Sequence, residues 1–148
     1  IDTEENKNGL FAINGMKKPL YYLYMFWFEL FEDIAYCGPG YIVTHSSENY
    51  SIIVYNNSPV LHSDMIFDFN NVSKKHKLTQ KILSARHSCI SYWQQLDFMP
   101  DIDQEDYRCI ENMTIPETSF RIVPGMKNYQ HITSLEPMDI AHIKFFRE

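Results

Sequence analysis

The carboxylates of this chain are the first candidates for chemistry. A glycosidase needs two of them, about 5 to 9 Å apart across a sugar-binding cleft. Two clusters occur in the sequence, Glu4-Glu5 and the group Asp101, Asp103, Glu105 and Asp106. The first lies at an end of the chain, where a rigid site is unusual, and the second has the positions of a helix N-cap and first turn. Neither lies in an Asn-Glu-Pro motif, so we predict no catalytic residue.

Metal and nucleophile chemistry is also poorly represented. The six histidines are His45, His62, His76, His87, His131 and His142. They form no HxH, HxxxH or HExxH pair, so no zinc spacing is present and we predict no metal and no cofactor. Five glycines leave little material for a phosphate-binding loop, and there is no G-x-S-x-G elbow. Cys89 lies close to His87 without the context of an activated nucleophile, which favours ordinary packing.

Aromatic side chains could stack on a sugar ring. The candidates are Trp27, Tyr41, Tyr50, Tyr55, Tyr92 and Trp93. Such residues more often fill cores, so their presence alone does not define a site.

Composition limits the classes of partner and compartment. A net charge of −6 argues against nucleic-acid binding, which needs clustered Lys and Arg. The acidic residues near the first position do not resemble a secretory leader, and the apolar run Leu20 to Phe28 is too short to span a membrane. Cys37, Cys89 and Cys109 form no CxxC pair and are typical of reduced, buried or half-buried thiols. We therefore expect a cytoplasmic chain that binds no membrane.

A helix with apolar or aromatic residues on every side is predicted near the N-terminus. Pro19 suits the first helical position, and Gly38-Pro39-Gly40 ends the pattern, which predicts a helix over 19–36. Such a helix must be buried on more than one face, which a chain of this size does poorly alone. We expect this helix to form an interface, either in a homodimer or with another part of the same protein. The residues expected there are Tyr21, Tyr24, Trp27, Phe28 and Phe31.

After this helix the hydrophobic period changes from 3.6 to 2. Tyr41 to His45 and Tyr50 to Tyr55 are predicted to form a hairpin with a four-residue loop. Further strands are predicted over 65–69, 77–83, 118–123, 129–133 and 140–146, with short helices after Ser88 and Asp103. The fold class is therefore mainly β. It is an antiparallel sandwich of about seven strands with an N-terminal apolar helix and one or two short helices in a mid-chain excursion. The predicted divisions are an extension over 1–18, the helix over 19–36 and the sandwich over 41–148.

The order of these motifs resembles glycoside hydrolase family 39, the family of β-xylosidases and their relatives. The segment Asn14 to Tyr24 is similar to the family's N-G-I-x-K-P-A-Y-Y-A-F, and Gly40 to Thr44 is similar to its G-x-x-Y-I-V-T. His87 to Trp93 resembles its G-S-x-x-D-x-W, although His87 replaces the glycine and Ser91 the aspartate. The resemblance implies the last helix of a (β/α)8 barrel followed by a β-sandwich.

What the resemblance implies about function is mostly negative. Both catalytic glutamates of the family lie on upstream barrel strands, so none is carried over to this chain. The third motif makes Trp93, Tyr92 and His87 the candidates for contact with a carbohydrate ligand. The missing barrel portion is the expected partner.

Two kinds of parent protein suit such a domain. One is a β-xylosidase. The other is an AraC-type transcriptional regulator, a group in which some members resemble family 39. The eroded third motif favours the regulator, in which this domain would sense a ligand or support a dimer, while the enzyme remains the alternative.

Overall fold

The computed structural model describes residues 9–12 and 14–147. Three helices and eight strands occur in this part of the chain. The helices are α1 (Pro19–Phe28), α2 (Cys89–Gln95) and α3 (Gln104–Met113). The strands are β1 (Asp33–Gly38), β2 (Tyr41–Ser46), β3 (Asn49–Tyr55), β4 (Ser63–Val72), β5 (His76–Leu83), β6 (Glu117–Val123), β7 (Met126–Leu135) and β8 (Ile140–Arg147). Glu4, Glu5 and much of the predicted extension over 1–18 lie outside the described residues.

The strands form two antiparallel sheets, which confirms the predicted sandwich. One sheet has six strands in the order β1-β2-β3-β8-β5-β6, and the other has two, β4 and β7. The core between them contains Ile52, Val54, Ile143 and Phe145 from the large sheet and Leu135 from the small one. These side chains alternate with residues that face the other side of each sheet, as the two-residue period of a strand requires.

The first helix is shorter than predicted. It ends at Phe28 instead of continuing to Tyr36, and Asp33–Gly38 forms the edge strand β1 paired with β2. The apolar run stops at Glu29, whose carboxylate binds lysines of the sheet, and the backbone N–H of Phe31 donates to Thr44 Oγ1 at 3.0 Å. These contacts redirect the chain into the sheet, so the predicted helix over 19–36 and its boundary are wrong, and β1 is the strand that prediction missed.

The first hairpin is tighter than predicted. Ser46 pairs with Asn49, so the connection is a two-residue turn of Ser47 and Glu48 instead of a four-residue loop. Ser47 takes a left-handed conformation with φ 57°, the kind of backbone that such tight hairpin turns require.

The β4–β5 and β6–β7 connections both cross between the two sheets, and a close backbone contact holds them together. Gly125 lies beside the segment that joins β4 to β5, and a Cβ atom at Gly125 would be 2.8 Å from the carbonyl oxygen of Ser73. Glycine is needed here because any side chain would push these two backbone segments apart.

The mid-chain helices have side-chain caps, of which the one at Asp103 was predicted, and they build a second, smaller core. Asp103 accepts a hydrogen bond from the Asp106 N–H at 2.8 Å, and Ser88 caps α2 in the same way. The small core contains Met16, Cys89 and Ile110. Cys89 is buried as expected, but Cys37 and Cys109 are exposed, which corrects the prediction of three buried or half-buried thiols. None of the described helices is long and apolar enough to cross a membrane.

Candidate interface on the first helix

The helix α1 presents a strongly apolar surface to solvent. Trp27 is 59% exposed and Phe28 is 79% exposed, and Tyr24 and Met25 next to them are also exposed. A proline in the first turn and an unbroken run of large side chains form the helix without a polar face. Exposed aromatic clusters of this kind mark interaction sites in soluble domains.

The opposite side of α1 is fixed to the large sheet by Phe26. Phe26 is 2% exposed and packs with Ile53 and Leu83. Its ring stacks on the imidazole of His142, with the ring centroids 5.2 Å apart. The sandwich therefore orients the helix, and Trp27 and Phe28 point away from it as a consequence.

A carboxylate clamp holds the C-terminal end of α1. One oxygen of Glu29 accepts from Lys81 Nζ at 2.9 Å and the other from Lys144 Nζ at 2.8 Å. Burial tends to raise the pKa of Glu29, but the hydrogen bonds from Lys144 and Lys81 outweigh it and lower that pKa to about 2. A carboxyl group held ionised in this way serves as a structural anion and is unsuited to general acid catalysis.

A buried serine and histidine complete the clamp. Ser51 Oγ donates to the carbonyl oxygen of Glu29 at 2.8 Å and lies 2.9 Å from His142 Nε2. Since the hydroxyl proton of Ser51 is directed to Glu29, Nε2 of His142 carries the proton of the imidazole and donates to Ser51. Nδ1 is then unprotonated, and it has no hydrogen-bond partner among the described residues. Burial is the main cause that lowers the pKa of His142 to about 4.

The remaining predicted interface residues flank the exposed face. Tyr21 is half-buried, with its ring 5.5 Å from the ring of Phe11 and 5.3 Å from Lys17 Nζ. Phe31 is also half-buried and packs on Phe146, with centroids 5.6 Å apart. We therefore define the helix face as Tyr24, Met25, Trp27 and Phe28.

The three predicted sugar contacts do not form one platform. Trp93 is 2% exposed, its Nε1 donates to the carbonyl oxygen of Met99 at 2.8 Å, and Phe98 packs against its ring edge-on. This burial corrects the expectation that the ring of Trp93 can stack on a ligand. His87 is exposed and hydrogen-bonds the hydroxyl of Tyr92, which is half-buried.

A cavity of about 370 Å³ lies beside His87 and is lined by Glu117, Glu136 and Asp139. Asp139 is buried, and its Oδ2 accepts from the Glu136 N–H at 3.2 Å. Within residues 9–12 and 14–147, no three His, Cys, Asp or Glu side chains come together as metal ligands. The cavity therefore offers polar contacts to a small ligand, and the described residues form no metal site there.

Glu29 and His142 are the residues of this region that sequence reasoning missed. Glu29 was placed inside the predicted helix, and its one signal was a carboxylate that interrupts an apolar run. His142 had no signal, because its partners Ser51 and Phe26 are distant in the sequence.

Comparison with known proteins identifies the fold. No family model and no curated protein matches this chain. Among solved structures, the glycoside hydrolase family 39 enzyme from Xanthomonas axonopodis pv. citri has a TM-score of 0.81 at 12% identity, over 95% of this chain and 32% of that one. A family 39 β-xylosidase from Caulobacter crescentus has a TM-score of 0.74 at 12% identity, over 95% of this chain and 30% of that one.

A monomeric β-xylosidase from Caulobacter crescentus CB15 has a TM-score of 0.71, again at 12% identity and over 94% of this chain and 32% of that one. The chain thus spans about a third of the length of the solved structures that it matches. It has the fold of that third of the glycoside hydrolases of family 39, as the sequence resemblance implied.

Proposed function

We propose that this chain is the non-catalytic β-sandwich domain of a larger protein similar to glycoside hydrolase family 39, and that it packs against a (β/α)8 barrel through the helix face. The observation that carries the proposal is the contrast within α1. Phe26 is buried against the sandwich, whereas the next two residues, Trp27 and Phe28, are exposed to solvent. Burying each such side chain contributes about 1.5–3 kcal/mol, so an adjoining apolar surface would be strongly favoured.

The solved neighbours support an enzyme as the parent. They are a family 39 enzyme and two β-xylosidases, and each is about three times as long as its match to this chain. In such a parent, hydrolysis of xylosides by two carboxylates would take place in the barrel, and the present chain would support it without supplying either group.

The alternative parent, an AraC-type regulator, remains a prediction from the sequence, and none of the three neighbours described above supports it. The reading frame upstream of this chain distinguishes the two parents. An Asn-Glu-Pro motif there would favour the enzyme, and a helix-turn-helix would favour the regulator. A carbohydrate ligand contacted by His87 and Tyr92 likewise remains a prediction.

Docking is tested by expressing the upstream polypeptide separately and measuring its binding to this chain. We expect binding by the native chain and at least about a tenfold loss in the double variant Trp27→Glu with Phe28→Glu, because two charges would be buried without partners. Ile132→Glu is the matched control, since Ile132 is an exposed apolar residue of β7, away from α1. Equal binding by all three chains would contradict the proposed interface.

The non-catalytic role has its own test. The purified chain should release no nitrophenol from a nitrophenyl xyloside. Turnover that survives repurification and disappears in a carboxylate variant of this chain would refute the role.

A further inference from the structure

A second cavity, of about 620 Å³, lies between the two sheets, toward the β1 edge of the large sheet. Its volume is within the range of cavities that hold ligands, about 300–1,000 Å³. Every residue from Met65 to Ser73 lines it, and no residue of β7 does. Side chains on both faces of β4 therefore border the cavity, which must run along the edge of β4 that faces away from β7.

That edge of β4 has no partner strand among the described residues. The strand pairs with β7 alone, in an uninterrupted register from Ser63 opposite Leu135 to Asn70 opposite Asn128. An unpaired edge exposes a row of backbone N–H and C=O groups that can pair with another extended chain. In β4 this row extends over most of ten residues.

The floor of the cavity is a part of the large sheet that the small sheet covers only partly. It includes Tyr36, Tyr41, Val43 and Tyr50, on the side of the sheet that faces β4. Tyr36 is 69% exposed although its neighbours in the cavity are apolar. One additional strand beside β4 would lie over these side chains and cover them.

β4 also lacks two of the features that protect edge strands, although it carries the carboxylates of Asp64 and Asp68. Its sequence has no proline and no lysine, whereas such residues, together with bulges, normally prevent pairing at an edge. The edge strand β1 contrasts with it, because a register shift between Ile34 and Tyr36 interrupts its pairing. The other strand of the small sheet, β7, carries Lys127.

We propose that β4 accepts an extended peptide segment as a third strand of the small sheet, with alternate apolar side chains directed into the cavity floor. The acidic side chains that line the cavity are Asp68 and Glu48, of which Glu48 is already paired with Arg147, and no Lys or Arg lines it. A segment with basic ends is therefore favoured over an acidic one. A second copy of β4 is a poor occupant, since antiparallel pairing centred on Ile66 would set Asp64 of each copy opposite Asp68 of the other.

The probe for this proposal is a synthetic peptide of about nine residues, with alternating valine and threonine and a lysine at each end. Binding is followed by titration calorimetry, and hydrogen exchange of the backbone amides in the native chain locates the site. We expect saturable binding and slower exchange for amides of β4. The same peptide with two interior prolines should bind at least about tenfold more weakly, because proline removes backbone donors.

Two variants of the chain separate this site from other surfaces. Tyr36→Asn should weaken peptide binding several-fold, because it removes an apolar ring from the floor without adding a charge, and Tyr55→Asn should not, since Tyr55 is exposed but does not line the cavity. The double variant of Trp27 and Phe28 should bind the peptide normally, so failure of the barrel interface and failure of this proposal are distinguishable.

Three results would overturn the proposal. One is protection of β1 or β6 amides without protection of β4. Another is protection of β4 that rises with protein concentration in the absence of peptide, which would assign the edge to a second copy. The third is displacement of the peptide by a neutral oligosaccharide such as xylotriose with no protection of backbone amides, which would assign the cavity to a sugar.

Discussion

The ring of Phe26 stacks on the imidazole of His142 with a centroid separation of 5.2 Å and an interplanar angle of 23°, and this stack joins the first helix to the centre of the large sheet. It lies on the side of the sheet opposite the sandwich core. The helix and the sandwich are therefore one packed unit, and the orientation of the helix face depends on this contact.

Replacement of Phe26 should have a much larger effect than replacement of Phe28. Phe26→Ala removes a fully buried ring and should lower the free energy of unfolding by about 3–5 kcal/mol. Phe28→Ala changes a side chain that is 79% exposed and should stay within about 0.5 kcal/mol. Urea unfolding of both variants measures the difference, and equal losses would contradict the orientation of α1 given by the structure.

The carboxylate clamp should contribute more than an exposed ion pair. Glu29→Gln leaves Lys81 and Lys144 close together without their anion, and we expect a loss of about 1–2 kcal/mol, less than for a fully buried pair because all three groups are partly solvated. Glu48→Gln is the control, since Glu48 binds Arg147 at 3.0 Å on an exposed surface. It should cost at most about 0.5 kcal/mol. A Glu48 effect as large as that of Glu29 would be evidence against the clamp.

The sequence predicted the sandwich well because its strands follow a clear alternation. The strands from Tyr41 onward lie within a few residues of their predicted ranges, and the N-cap at Asp103 is a local signal that needs no tertiary information. Local patterns of this kind predict the structure well, because near neighbours in the sequence decide which face of a strand is buried and how the free N–H groups at a helix end are hydrogen-bonded.

The error over 29–36 has a different cause. The aromatic residues there suit either a helix or an edge strand, and periodicity cannot separate them. What decides is the attachment of Glu29 to Lys81 and Lys144, residues of two other strands. The free edge of β4 was equally invisible, because sheet order is a property of the whole fold.

The two tryptophans should report opposite environments. Trp27 is 59% exposed and Trp93 is 2% exposed. In Trp93→Phe, the remaining Trp27 should emit at long wavelength and be readily quenched by acrylamide, whereas in Trp27→Phe the remaining Trp93 should emit at shorter wavelength and resist quenching. Binding of a barrel at the helix face should then protect Trp27 from the quencher. A quenchable Trp93 in the folded chain would contradict its burial under Phe98.

Acid should destabilise the chain through His142 at a pH where most carboxylates are still ionised. Burial lowers the pKa of His142 from 6.5 to about 4, so between these values the unfolded chain binds a proton that the folded chain does not. The resulting stability is fully present above pH 6.5 and is lost as the pH falls toward 4. From pH 7 to pH 5 the loss should be about 2 kcal/mol. In His142→Gln the fall over this range should be smaller by about that amount, although the variant is less stable at pH 7 because the stack on Phe26 is lost.

Burial also lowers the pKa of His131, so the difference between the two chains, and not the slope of either one, isolates His142. Urea midpoints measured at several pH values give that difference, and parallel curves for the native chain and the variant would show that His142 binds protons equally in the folded and unfolded states.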